Sequence, residues 1–249
     1  MKKTKNPASK GLYLLPNLFT TSALFAGFYA ISGAINEHFE IAVIAIFIAM
    51  VLDGLDGRVA RMTNTQSDFG AQYDSLADLV SFGIAPAAVA YSWGLSSLGK
   101  FGWMVAFVYA TCGALRLARF NVQHGTADKR YFQGLASPAA AALVAGYIWL
   151  MEDYQLNSTA AIVGLLLVTL SAGLLMVSDI RYHSFKELNF TGKVPFVFAV
   201  IVMLVLALVY AAPPLVLFIV CLAYALSGIA LTMSLLQRKR RDKKADQTE

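Results

Sequence analysis

Asp53, Asp56, Asp74 and Asp78 are the residues of this sequence whose type and spacing best suit chemistry. The first two stand three apart and the last two four apart, so in helices each pair shares one face. Asp53 directly follows a stretch, 41–52, that carries no polar side chain. A carboxylate at membrane depth costs roughly 2.5–3.5 kcal/mol on insertion scales unless it faces a partner or a polar cavity. Four of them at the facing ends of two helices would repel one another unless protons or cations lay between them. Hard oxygen ligands without Cys or His suit Mg²⁺ or Mn²⁺. Ion pairing with Arg58 and Arg61 is the plainer alternative, but two arginines cannot neutralise four carboxylates, and Arg58 points away from the Asp53 face if the helix continues. An EF-hand is excluded, because Asp53-Gly54-Leu55-Asp56-Gly57 lacks that loop's ligand spacing. Gly57 lies one turn after Asp53 and Gly70 opens the next helical stretch. Small residues there let a bulky ligand, or a neighbouring helix, come close to the backbone.

The elements that must carry these residues are membrane helices. Hydrophobic residues make up 58% of the 249 and charged residues 14%, against about 25% charged in soluble domains. The apolar residues come in blocks of bilayer-spanning length. The sequence predicts an all-α, polytopic transmembrane bundle of about eight spans, near 13–35, 39–60, 71–93, 100–121, 136–151, 158–178, 194–211 and 214–236. The first is read as a retained span and not as a cleaved signal peptide. A basic segment 1–12 precedes the catalytic membrane domain 13–236, and a basic tail 237–249 follows it, with 242–249 expected to be disordered. Under this partition 19 of the 20 Lys and Arg residues fall on one side, Lys100 being the exception. The positive-inside rule then places both termini, and the carboxylates, on the cytoplasmic side of the cell membrane. The cluster from Arg238 to Lys244 reads as a flank touching anionic lipid headgroups, and no nucleic-acid partner is expected. Cys112 and Cys221 lie in apolar runs, so no disulfide framework or thiolate zinc site is expected. His38, His124 and His183 are scattered, which leaves no histidine metal site or Ser-His-Asp triad.

The stretch 53–78, DGLDGRVARMTNTQSDFGAQYDSLAD, resembles the signature of the CDP-alcohol phosphotransferases, D-x2-D-G-x2-A-R-x8-G-x3-D-x3-D, at every fixed position. The resemblance implies a six-helix core that forms homodimers, with two spans added at the C-terminal end. It implies that Asp53, Asp56 and Asp74 are metal ligands, and that Asp78 is both a ligand and the general base. It implies contacts from Gly57, Arg61, Ser67 and Gly70 to the CDP part of the donor, CDP-diacylglycerol. Pro16-Asn17-Leu18-Phe19-Thr20 resembles the family's first-span element, which adds Asn17 and Thr20 to those contacts. Four further stretches, 79–86, 116–121, 132–138 and 177–182, resemble the family branch that uses L-serine as acceptor, with a departure at Ala136, where that branch is expected to carry proline. Arg116 and Arg119, three apart, are candidates for binding the serine carboxylate or, alternatively, lipid phosphate. The implied reaction is metal-dependent phosphatidyl transfer with two ions bridging the carboxylates and the donor pyrophosphate. Glycerol phosphate, inositol phosphate or choline are the alternative acceptors. A divalent-cation transporter is disfavoured, because no matching acidic residues lie deeper in the later spans. A structural membrane anchor would leave the four carboxylates unexplained.

Overall fold

The computed structural model of the chain describes residues 14–63, 65, 67–123, 131–183, 203–204 and 207–245. The segment 1–12, most of the expected span 194–211 and the last four residues lie outside these. The protein is a helical bundle. Helix α1 (Leu14–Ile35) turns back through Asn36-Glu37-His38 into α2 (Phe39–Met62). Glu37 takes a left-handed φ of 59° in that turn, and the His38 N–H donates to the Gly33 carbonyl at 2.8 Å. Ala26, Ala30 and Ala34 of α1 are buried with Ala42, Ala45 and Ala49 of α2. Alanines at helical spacing on both partners let the backbones approach closely, which is how membrane helices gain packing energy without a hydrophobic driving force.

The next rod is continuous but not uniform. It runs as α3 (Asp68–Asp78), a π-helical turn (Leu79–Ile84) and α4 (Ala85–Trp93). Pro86 explains part of the irregularity. It has no N–H to give to the residue four back, Phe82, and the Phe82 carbonyl instead accepts from the Tyr109 hydroxyl at 3.1 Å. Ser81, buried in the same turn, donates to the Ala23 carbonyl of α1 at 3.0 Å. A π turn of this kind re-aims the side chains before it, and π-bulges occur frequently at functional sites. Asp78 is the residue directly before it.

A short 3₁₀ turn (Leu95–Leu98) leads to α5 (Lys100–Gln123), followed by α6 (Ser137–Asp153), α7 (Thr159–Val177) and α8 (Pro213–Ala245). The expected spans up to 178 match these helices closely. Two features differ from expectation. Residues 131–133 and 181–183 form a small antiparallel ribbon, β1 (Tyr131–Gln133) with β2 (Arg181–His183), which ties the segment before α6 to the one after α7. The last helix continues through the basic residues to Ala245, so much of the tail is a helical extension. The Ala136 departure fits its place: it caps α6 in an extended conformation with φ −60°, a value proline also adopts.

Among the described residues, five helical segments are long and apolar enough to cross a membrane: Pro16–Ile35, Asp68–Trp93, Lys100–Val122, Thr159–Val177 and Pro213–Ser234. Of the remaining two long helices, α2 carries Asp53, Asp56, Arg58 and Arg61, and α6 is 17 residues long. Phe25, Phe28, Ile48, Trp103, Phe107, Leu167, Ile219 and Leu226 are exposed. An apolar exterior of that extent belongs in lipid.

Candidate metal and donor site

The C-terminal half of α2 and α3 bring the predicted carboxylates together. Single oxygens of Asp53, Asp56 and Asp74 lie within 4.8 Å of one another. The carboxyl groups also meet across the two helices, Asp53 with Asp78 and Asp56 with Asp74. Asp78 thus joins the group through Asp53. Facing carboxylates in contact need a positive charge or a shared proton between them. Among the described residues no arginine forms an ion pair with them. Arg61 bends back instead, its Nε donating to the Gly57 carbonyl at 2.8 Å. Among the described residues the ion pair that forms, Arg119 with Asp179, involves other residues altogether.

A divalent metal suits this arrangement. Asp74 Oδ1 is buried without any hydrogen-bond partner. A buried charged acceptor left unmade costs more than the 1–3 kcal/mol of a neutral one, and a cation among these oxygens would satisfy it. The donors are all carboxylate oxygens, the preference of hard divalent ions. Asp56 is further prepared from outside the signature: the Thr20 hydroxyl of α1 donates to its Oδ2 at 2.7 Å, and both residues are buried. Thr20, expected against the nucleotide, therefore fixes the direction in which Asp56 presents its other oxygen.

The remaining expected donor contacts surround this cluster. Ser67 caps α3, its Oγ accepting from the Gly70 N–H at 3.0 Å. A side chain at Gly70 would press on Ser67 Oγ and approach Asn17 Oδ1, so Asn17, Ser67 and Gly70 form one wall. At Gly57 a Cβ would have only the Arg61 guanidinium within 4.0 Å. That glycine leaves open space beside the carboxylates, with Arg61 exposed at its edge. Thr21 and Tyr73 share a hydrogen bond at 2.9 Å and join α1 to α3, while Ser75 donates to Asn121 at 3.1 Å and joins α3 to α5.

The two arginines predicted to act together are separated. Arg116 turns inward, with Nη1 donating to Ser137 Oγ at 2.9 Å and Nε buried without a partner. Its guanidinium lies within electrostatic reach of Asp78. Arg119 turns outward to Asp179 at 2.9 Å, with side chains 40% and 78% exposed, and to the Val177 carbonyl. Residues three apart share a face only broadly, and here the deeper one enters the bundle while the shallower one closes a surface pair worth about 1 kcal/mol or less. Ser137 lies in a stretch already noted for its resemblance, but the spacing gave no sign that it meets Arg116.

A family model described as CDP-alcohol phosphatidyltransferase matches residues 13–176. The chain is 40% identical over 205 residues to a protein of Helicobacter pylori (strain J99) named CDP-diacylglycerol–serine O-phosphatidyltransferase, covering 81% of this chain and 84% of that one. It is 40% identical over 184 residues to a Methanocaldococcus jannaschii protein of the same name, covering 74% and 80%. A third relative of that name, from Bacillus subtilis, is 35% identical over 173 residues, covering 70% and 92%.

Proposed function

Because this chain belongs to the CDP-alcohol phosphatidyltransferase family, we propose that it transfers the phosphatidyl group of CDP-diacylglycerol to L-serine, giving phosphatidylserine and CMP. The observation that carries the chemistry is the facing set Asp53, Asp56, Asp74 and Asp78, with a buried Asp74 oxygen that has no hydrogen-bond partner. The observation that carries the acceptor is the name shared by relatives that align over most of the chain.

Asp53, Asp56, Asp74 and Asp78 would hold two divalent ions, Mg²⁺ or Mn²⁺. When bound, such ions neutralise the donor pyrophosphate and the charge that develops on the departing CMP. Arg61 adds a fixed positive charge at the same place. Asn17, Ser67, Gly57 and Gly70 border the nucleotide, and Thr20 holds Asp56 in position. Asp78 accepts the proton of the serine hydroxyl. The serine oxygen then bonds to the phosphatidyl phosphorus while the bond from that phosphorus to the CMP oxygen breaks. Arg116, beside Asp78, takes the serine carboxylate. The apolar groove of Phe25, Ala26, Tyr29, Ile41, Ala45 and Ile48 reaches Leu52, the residue before Asp53. It offers the donor's acyl chains a place alongside the bundle.

The protein resides in the cell membrane with both termini and the site in the cytoplasm, as the 19-to-1 division of basic residues supports, and it forms the homodimer that the family resemblance implies. The test is a screen of radiolabelled acceptors with purified protein, CDP-diacylglycerol and Mg²⁺ or Mn²⁺. Label should enter lipid from L-serine. Label entering from glycerol phosphate, inositol phosphate or choline in its place would overturn the acceptor and keep the transfer.

A further inference from the structure

Two contacts set the register of the third rod against α5. A Cβ at Gly113 would stand 3.4 Å from the Gly83 Cα, and Ser75 donates to Asn121 at 3.1 Å. Ser75 lies eight residues before Gly83 and Asn121 eight after Gly113, so the two helices run antiparallel in step. Asp78 and Arg116 both fall inside that interval. Asp78 is three residues from Ser75 and Arg116 five from Asn121, which leaves them two residues, or about 3 Å along the axis, out of level. Arg116 therefore stands at the depth of the carboxylate that accepts the serine proton.

Ser137 governs which way the guanidinium faces. A guanidinium can meet a carboxylate with two parallel hydrogen bonds on either of two edges, Nη1 with Nη2 or Nε with Nη2. Ser137 Oγ engages Nη1 at 2.9 Å, which favours the second edge. That edge includes the Nε proton, buried with no hydrogen-bond partner among the described residues. Ser137 itself is 1% exposed, and backbone contacts hold it in place. The Gly134 N–H donates to the Ile180 carbonyl and the Leu135 N–H to the Leu175 carbonyl, both at 2.9 Å, and Leu135 is fully buried. Gly134 takes a left-handed φ of 78°, and a Cβ there would run into the Met176 carbonyl. The segment between β1 and α6 is thus clamped onto the end of α7, and Ser137 opens α6 at a point that α5 does not set.

Resting on the proposed transfer to serine, in which Arg116 takes the acceptor carboxylate, we infer that Ser137 is a positioning residue that turns the Nε edge of Arg116 toward that carboxylate. The aspartates carry the transfer itself. The clamp of Gly134 and Leu135 on α7 sets, through Ser137, the choice of an alcohol that bears a carboxylate.

The experiment compares wild-type and Ser137→Ala full-length protein in detergent, with CDP-diacylglycerol and metal. The acceptors are L-serine and serinol, the amino alcohol in which a hydroxymethyl group replaces the carboxylate. Alanine removes only the hydroxyl. The KM for L-serine should rise about tenfold, the scale of one hydrogen bond to a charged group. The kcat with L-serine, the KM for CDP-diacylglycerol and the kcat/KM for serinol should not change. An equal loss with both acceptors, or a fall in kcat at an unchanged KM for L-serine, would reduce Ser137 to a structural residue. No change with either acceptor would remove it from the recognition of the carboxylate. Each of these outcomes overturns the inference. If wild-type protein made no phosphatidylserine, the acceptor reading itself would fall first, before any variant is compared, and this inference with it.

Discussion

Asp56 shows how a single carboxylate is aimed. One of its oxygens is taken by the Thr20 hydroxyl at 2.7 Å, which leaves the other for the cluster. Partners of this kind typically set metal affinity by 10–100-fold. Thr20→Val, nearly the same in volume, should therefore raise the metal concentration for half-maximal activity about tenfold, while Thr20→Ser should restore it. An unchanged metal requirement in Thr20→Val would return Thr20 to the nucleotide-binding role that the sequence suggests. Asp78 differs from the other three because it alone of the four stands beside both the cluster and Arg116. Asp78→Asn should keep much of its CDP-diacylglycerol binding while turnover falls about 10²-fold or more, the scale of general-base catalysis. Asp53→Asn and Asp56→Asn should weaken donor binding and turnover together, since each disturbs the metal itself. Donor affinity and turnover at saturating serine and metal separate the two patterns. Near-normal turnover in Asp78→Asn would assign the proton to another group.

Between elements, the π turn at Leu79–Ile84 links the third helix to its neighbours through Ser81 and through the Phe82 carbonyl. Tyr109→Phe leaves that carbonyl buried and short of its donor, which costs about 1–3 kcal/mol. Thermal unfolding in detergent should show the loss, and an unchanged midpoint would mean that the carbonyl finds another partner. None of this was legible in the linear sequence. The helices up to 178 and α8 were, because lipid demands long apolar runs and the breaks between them carry polar residues and prolines. The four aspartates were, because their spacing puts each pair on one face and the short connection makes α2 and α3 neighbours. Thr20 is 36 residues from Asp56, and Ser137 is 21 residues from Arg116. No local period reports such meetings; they follow from how whole helices rotate and cross. The 131–133 and 181–183 ribbon was missed for the same reason, being two strands of three residues that exist only through each other.

For the whole molecule, the fold gathers the carboxylates, Arg116, Asn121, Ser137 and the ribbon at one end of the bundle, while Trp93 bonds Glu152 at 2.6 Å at the other. Among the described residues the charge division follows the same axis, with Lys100 near the Trp93 end and Arg58, Arg61, Arg116 and Arg119 near the carboxylates. Single cysteines introduced near Gln123, Glu187 and Gln247 should be labelled from the cytoplasm, and those near Glu37 and Asp153 from the opposite side. Labelling of Gln123 and Asp153 from the same side would break the topology. Everything else depends on the carboxylate cluster working through a cation. The direct measurement is transfer of labelled L-serine into lipid by the purified protein with CDP-diacylglycerol, first in excess chelator and then with Mg²⁺ or Mn²⁺ restored. The account predicts no labelled phosphatidylserine in chelator and recovery on adding either ion; full transfer in excess chelator would contradict it.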